Sequence, residues 1–374
     1  MKKLFCLLLI LAMAIPAFAE TLKADGHAPE VTGTGDVLFN QATELAFQRL
    51  LDNFNDQLSE FNFGSPKKFL EGMANSSVYA SHGATTRGYG GYKLFSATVG
   101  LTVGLQLPKS LDTITDDINK FSDALKDEGD LKLGFSPNLF NANIGLNMGM
   151  LKILPEHLGL LKRDNLYVGL RIGYFKLPDG LFDDIAYKSF TFGVTANYQI
   201  IPTISLAGLV KWRGVNVGTG FIYNNATANF IVPIGDREIE ERITSDTYLV
   251  LDPKLSFNVD VSTFTIPLEA VTAIKLLIFN IPFGLGADLA FGKTSVGFGL
   301  SSDVSYKGLD SSTFKQTKKG ELSVGGGVSN SPSFFNFKIM TGLGINAGPV
   351  VFDVPVTIYP ASGYNIGLTI GAVF

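Results

Sequence analysis

Along most of this chain, apolar residues recur at every second position for ten or more residues at a time. In one stretch Phe190, Phe192, Val194, Ala196, Tyr198 and Ile200 share one parity, while Thr191, Gly193, Thr195, Asn197 and Gln199 share the other. Ala142, Ile144, Leu146, Met148 and Met150 alternate in the same way with Asn143, Gly145, Asn147 and Gly149, and the pattern returns over 166–174, 281–291 and 296–304. A period of two marks extended strands whose side chains point to opposite faces in turn. Soluble sandwiches alternate as well, but over strands of about 5–6 residues. Here the runs are longer, and the polar parity is Gly, Ser, Thr and Asn. Runs of this length match the ~9–11 residues with which a tilted strand crosses a bilayer.

If lipid is the solvent, an open sheet edge is too costly, because its unpaired N–H and C=O groups meet no water, so the sheet must close on itself. The first nineteen residues aside, no stretch approaches the ~20 apolar residues that a membrane-crossing helix needs. With 41 glycines, 30 phenylalanines and only 17% charged residues, and a mean hydropathy of +0.24, the composition agrees. The reading is an all-β protein, a closed antiparallel transmembrane β-barrel. From Tyr92 onward, strands are expected near 92–107, 137–151, 165–176, 187–200, 203–224, 246–264, 275–292, 294–306, 319–329, 333–346, 349–359 and 363–374. That gives about twelve strands, within a range of ten to fourteen. The alternation changes phase near Gly214, which predicts a bulge there.

The two ends of the chain carry addresses. Lys2 and Lys3, the apolar run Leu4–Ile15 and the Ala17-Phe18-Ala19 site form a secretory signal peptide over 1–19, with the mature chain starting at Glu20. Cys6, the sole cysteine, falls inside it and leaves the mature chain without a disulfide. At the other end Tyr364, Ile366, Leu368, Ile370, Ala372 and Phe374 alternate with small polar residues. This resembles the C-terminal signature that the barrel-assembly machinery recognises, so that machinery and the bacterial outer-membrane bilayer are the expected partners. Tyr174, Tyr187, Tyr198, Tyr223, Tyr248, Tyr306 and Tyr359 fall near strand ends, as in an aromatic girdle.

Residues 20–91 form a separate N-terminal region ahead of the barrel at 92–374. Leu38, Ala42, Leu45, Ala46, Leu50, Phe54, Leu58 and Phe61 recur at helical spacing, and a helix carrying Leu45, Leu50, Phe54 and Leu58 on its apolar face is expected to plug or cap the barrel. A second helix is expected in a loop near 110–126, where Leu111, Ile114, Ile118 and Phe121 form a stripe that can dock a hydrophobic ligand.

Chemistry for catalysis is scarce. The three histidines, His27, His82 and His157, are far apart, and no metal cluster, cofactor motif or catalytic triad is suggested. The net charge of −4 includes no polybasic patch of the kind a nucleic-acid binder carries. The inward parity offers only scattered charges, Arg171, Asp260, Asp288, Asp303 and Lys338, of which Arg171 and Lys338 are the candidate solute contacts. A signal peptide, an N-terminal helical region, the glycine-rich lead from His82 to Gly91 and then a strand-rich barrel resemble the FadL-type transporters of long-chain fatty acids, including their spirochaetal relatives. That resemblance implies a fourteen-stranded barrel, plugged by an N-terminal hatch, that passes hydrophobic molecules without ATP. The expected function is passive uptake of small hydrophobic or uncharged molecules, against a general or sugar-selective porin and a non-transporting surface barrel serving as adhesin or scaffold.

Overall fold

The computed structural model describes residues 23–60, 67–81 and 92–374, apart from 93, 108–131, 133, 154, 179–184, 208, 234–238, 245, 310–311 and 361–362. Two short strands, β1 (Lys23–His27) and β2 (Glu30–Gly33), precede two helices, α1 (Asp36–Glu60) and α2 (Lys67–Ser81). Then come β3 (Phe95–Gln106), β4 (Gly134–Asn147), β5 (Leu166–Lys176), β6 (Ile185–Ile201), β7 (Val210–Pro233), β8 (Tyr248–Leu276) and β9 (Phe279–Lys307). Further along are β10 (Phe314–Lys318), β11 (Gly320–Asn330), β12 (Phe335–Ala347), β13 (Val350–Tyr359) and β14 (Gly363–Val373), and short strands at His157–Leu158, Leu161–Lys162, Ile204–Ala207 and Ile239–Arg242 lie in the connections.

Ten antiparallel strands close a ring in the order β9-β12-β13-β14-β3-β4-β5-β6-β7-β8 and back to β9. The last strand meets the first over Gly363↔Gln106 to Val373↔Ser96, and the seam is locked where Phe374 stacks on Phe95 at 4.7 Å and its carbonyl accepts from the Leu94 amide. Outside the ring β11 pairs with β9, and β1 with β11.

The ring has ten strands where the sequence suggests twelve. β8 and β9 are single strands of 29 residues, paired without interruption from Leu276↔Phe279 to Tyr248↔Lys307. Their apolar parity switches half-way, and such a switch mimics a turn in sequence, so 275–292 and 294–306 are one strand. The stretch 319–329 is not part of the ring either: β11 lies in line with β12 along one edge of β9, pairing with Thr294–Val304 while β12 pairs with Phe279–Leu289. The bulge expected near Gly214 is present. The β7–β8 register shifts between Trp212 and Val215, and Gly214 takes φ +74, with the Ile201 carbonyl where a Cβ would sit.

Within the ring, outward side chains are apolar and exposed, among them Phe192, Phe221, Leu268, Phe283, Phe337, Leu343, Ile366 and Ile370. Their inward neighbours are small or polar and buried, such as Thr191, Asn197, Thr263, Asn280, Asn365 and Thr369. This is the lipid-facing belt of a membrane barrel. No described helix is long and apolar enough to cross a membrane.

Above the level at which Asn224, Thr263 and Gly292 lie side by side, β7, β8, β9 and β11 rise past the ring as a wall. There the polarity inverts. Val261, Leu249, Val296, Val304 and Leu322 face inward and are buried, whereas Asn258, Asp260, Ser301 and Asp303 face outward and are exposed. Gly292, at φ +136, sits at the change, with the Ser262 carbonyl occupying the place of a Cβ. Asp260 and Asp303, expected inside, therefore lie on the outer face of the wall.

α1 packs on the inner face of this wall. Ala46, Phe47 and Leu50 form one buried cluster with Ala28, Leu249, Val304 and Leu322; the Tyr306 hydroxyl donates to the Pro29 carbonyl at 2.7 Å; and Phe39 stacks on Phe314 at 4.6 Å. The expected plug helix is thus not in the lumen. Leu50 is buried against the wall and Leu45 is 66% exposed, while the side chains of Phe54 and Leu58 lie outside the described residues, as do Leu111, Ile114, Ile118 and Phe121 of the expected loop helix, the signal peptide and the glycine-rich lead.

Candidate functional site: the occupied lumen

The helix inside the ring is α2. It contacts β3, β4, β7, β8, β9, β11 and β14, and Leu70 and every residue from Ala74 to Ser81 is buried. It enters from the wall end, where Glu71 pairs with Lys132 at 2.7 Å, and ends half-way down, where the Ser81 carbonyl accepts from Arg171 Nη1 at 2.9 Å. The chain reappears at the far end, where Leu94 meets Phe374. The N-terminal region and the first residue of β3 therefore sit at opposite ends of the barrel.

The helix buries Leu70, Ala74, Val78 and Tyr79, and its remaining positions answer what surrounds them. The lining is polar, and polar groups of the helix meet it: Asn224 Nδ2 donates to Ser77 Oγ at 2.6 Å, Thr102 Oγ1 to the Ala80 carbonyl at 2.8 Å, the Tyr79 hydroxyl to Gln106 Oε1 at 2.9 Å, the Ser333 amide to Asn75 Oδ1 at 2.8 Å, and Asn365 to the Tyr79 carbonyl. Where the helix comes closest, the wall is bare. A Cβ on Gly104 or Gly134 would collide with the helix backbone at Ser76 and Gly72. Tyr79 also stacks on Tyr359, with centroids 3.8 Å apart.

Beneath that stack lies a charged knot. Lys338 Nζ reaches Glu269 Oε1 at 2.5 Å and Asp288 Oδ1 at 2.7 Å, and the Tyr359 hydroxyl donates to Asp288 Oδ2 at 3.0 Å. Lys338 and Asp288 are fully buried. A buried charge is tolerated only when paired and hydrogen-bonded, and this one is. Both candidate solute contacts, Arg171 and Lys338, are thus inside the lumen as expected, but each is engaged by protein: Arg171 holds Asn143 Oδ1 at 2.6 Å as well as the end of α2. Tyr359 and Tyr306, expected in an outer girdle, point inward. Tyr364 and Phe374, the assembly-signal residues, lie on β14 and at the seam beside it. Along the lumen Asn141, Asn216 and Asn280 carry side-chain amides with no hydrogen-bond partner among the described residues, and the mouth at the far end opens as a cavity of about 640 Å³.

Sequence reasoning missed α2 and the knot. The available signal was the cluster of small and polar residues Gly72, Ala74, Asn75, Ser76, Ser77, Ala80 and Ser81, which lets a helix come close to a polar lining.

A family model described as Lsa36-like matches residues 29–374, from the start of β2 through the whole barrel. The chain belongs to the Lsa36-like family. Among solved structures, this Lsa36-like barrel is similar to the translocator domain of the autotransporter NalP from Neisseria meningitidis, at 9% identity over 76% of this chain and 89% of that one, with a TM-score of 0.26. Omp33 of Acinetobacter baumannii matches at 12% identity over 76% and 100% of the two chains, TM-score 0.25, and the toluene transporter TodX of Pseudomonas putida at 7% over 82% and 98%, TM-score 0.24. No curated protein matches the sequence.

Proposed function

We propose that this protein is an outer-membrane channel whose resting state is plugged by α2, and that it passes small uncharged or weakly polar molecules, hydrophobic ones included, when the helix shifts. The observation that carries this reading is the character of the α2 interface. Several of its contacts with the ring are single hydrogen bonds between side chains or to backbone, each worth a net of only ~0.5–1.5 kcal/mol because water can replace the partner, and they stand beside one small apolar cluster in which Val78 and Tyr79 meet Ala290 and Tyr359. Amides at Asn141, Asn216 and Asn280 that carry no hydrogen bond among the described residues supply neutral hydrogen-bonding groups along the lumen, and the buried Lys338 is paired with Glu269 and Asp288. The wall end faces the outside of the cell in this reading: it carries the 27-residue connection 107–133, whereas the opposite end has the two-residue turns 277–278 and 348–349 and, as its longest connection, 148–165, and barrels place short turns in the periplasm and long loops outside.

Planar-bilayer recordings test it. The intact mature protein should show little steady conductance with brief openings, and removal of 67–81 should give a stable ohmic pore and faster liposome swelling in uncharged solutes. A large constant conductance of the intact protein would end the proposal. A second reading, a surface barrel that transports nothing, draws on α1, which holds Val37, Leu38 and Leu45 exposed at the wall end; it predicts that deletion variants still folded as barrels pass no solute.

A further inference from the structure

At the end of the barrel away from the wall, the 640 Å³ cavity is lined by four basic side chains, Lys152, Arg163, Lys211 and Arg213, and one carboxylate, Asp164. Asp164 Oδ1 lies 3.3 Å from Arg163 Nε, and the lining carries more basic than acidic groups, Lys152 and Lys211 among the former. The cations come from separate parts of the fold: Lys152 and Arg163 from the β4–β5 connection, Lys211 and Arg213 from the start of β7 beside the Gly214 bulge. The other walls are apolar or aromatic. Tyr92 meets Tyr167 edge-on, with ring centroids 5.1 Å apart, and Leu94 and Met150 complete that side. Burial pushes the Tyr92 phenol up to about 12, which keeps its hydroxyl a neutral donor at physiological pH.

We infer that this mouth is a binding site for a phosphate monoester carried on an apolar or aromatic body. A phosphate monoester bears about −1.5 to −2 charges near neutral pH and presents acceptor oxygens suited to guanidinium and ammonium groups. A monocarboxylate would answer only one of the charges of Lys152 and Lys211, and a bare inorganic anion would leave the ring pair and Met150 without a partner. Two sources share this chemistry, a soluble aryl or alkyl phosphate and the phosphomonoester headgroup of a lipid in the adjoining leaflet. The site does not depend on movement of α2.

Isothermal titration calorimetry reads binding at the site directly. With mature protein in neutral-detergent micelles, phenyl phosphate should give a saturable change at least about tenfold tighter than inorganic phosphate. Lys211→Gln with Arg213→Gln should weaken it at least about tenfold, and Lys152→Gln, on an exposed turn where folding is not at stake, by a few-fold, with heat-modifiable gel mobility unchanged. Nanodiscs separate the sources: displacement of phenyl phosphate when phosphatidic acid replaces part of the phosphatidylcholine assigns the site to a lipid headgroup, and undisturbed binding assigns it to a soluble ester. Absence of saturable binding in both preparations, equal affinity for inorganic and phenyl phosphate, or charge variants that bind as the parent does would overturn it. Since binding and not flux is read, these results are separable from failure of the channel.

Discussion

The same two strands, β8 and β9, are built for two solvents. Below Thr263 and Gly292 their outward positions are Phe264, Leu268, Phe283 and Leu285; above, they are Asn258, Asp260, Ser301 and Asp303. Inward positions change the other way, from Thr265 and Asp288 to Leu249, Val261 and Val304. The register does not slip across the change, so the inversion is one of sequence and not of backbone. A strand's period of two states only that its faces differ; which face is greasy depends on what lies beyond it. In the ring, lipid lies outside and a polar lumen inside. In the wall, water lies outside and a helix inside, which is the arrangement of a soluble β-sheet covered by α1.

The strongest way to break the ring half of this comparison is to remove Lys338, the more deeply buried of the two lumenal cations Arg171 and Lys338. Lys338→Met leaves Glu269 and Asp288 facing each other, and loss of one partner from a buried pair costs roughly 3–5 kcal/mol. Urea unfolding from liposomes should show that loss, while protease protection of α1 on the wall stays as it was. Equal loss at both ends would mean the two regions unfold as one.

Next in size is a paired test of solvent. Phe283→Arg puts a charge on the outward face of the ring and should cost about 2–4 kcal/mol if that face sits near the bilayer midplane. Asn258→Arg, on the outward face of the same sheet but above the inversion, should change folding by less than about 0.5 kcal/mol, as surface substitutions do. Folding titrations of both variants into liposomes decide it, and similar costs would place the wall in lipid too.

How much of this was legible in the sequence tracks which face each residue meets. Alternation over 187–200 or 363–374 meets a single solvent throughout, so those strands and their lipid face were readable, as was the bulge, since Gly214 shifts the phase by one. The 29-residue strands were not, because one continuous backbone carries two phases and a phase switch in sequence looks like a turn. The lumen helix was missed for a related reason: α1 has an apolar stripe because it covers the apolar side of the wall, whereas in α2 the apolar Leu70, Ala74 and Val78 are interleaved with Asn75 and Ser77, which hydrogen-bond to Gln106, Ser333 and Asn224 of the lining. An apolar stripe shows that a helix rests on something apolar, which for α1 is the wall. Arg171 and Lys338 were found from parity alone, but their partners, Ser81 and the Glu269–Asp288 pair, come from segments distant in sequence and had no local signal.

A smaller change sharpens the wall half. Phe47 is completely buried in the α1 cluster, and Phe47→Leu keeps an apolar side chain of lower volume there, at a cost of about 1.5 kcal/mol or less. That loss should appear as faster proteolysis within 36–60 and leave the melting of the ring untouched, measured by the shift in gel mobility on heating.

The smallest effect bears on the lumen. Tyr79→Phe deletes only the hydroxyl that donates to Gln106 and keeps the ring stacked on Tyr359. One neutral hydrogen bond is worth a net of ~1 kcal/mol, too little to alter barrel stability detectably against the rest of the sheet. If α2 is a plug in equilibrium with a displaced state, the same ~1 kcal/mol shifts that equilibrium about fivefold, so the open fraction in bilayer recordings should rise by about that factor while unfolding is unchanged. The ring and its helix are then two things, one fixed and one movable. An unchanged open fraction, with α2 as immobile as the strands, would make the helix part of the wall it leans on.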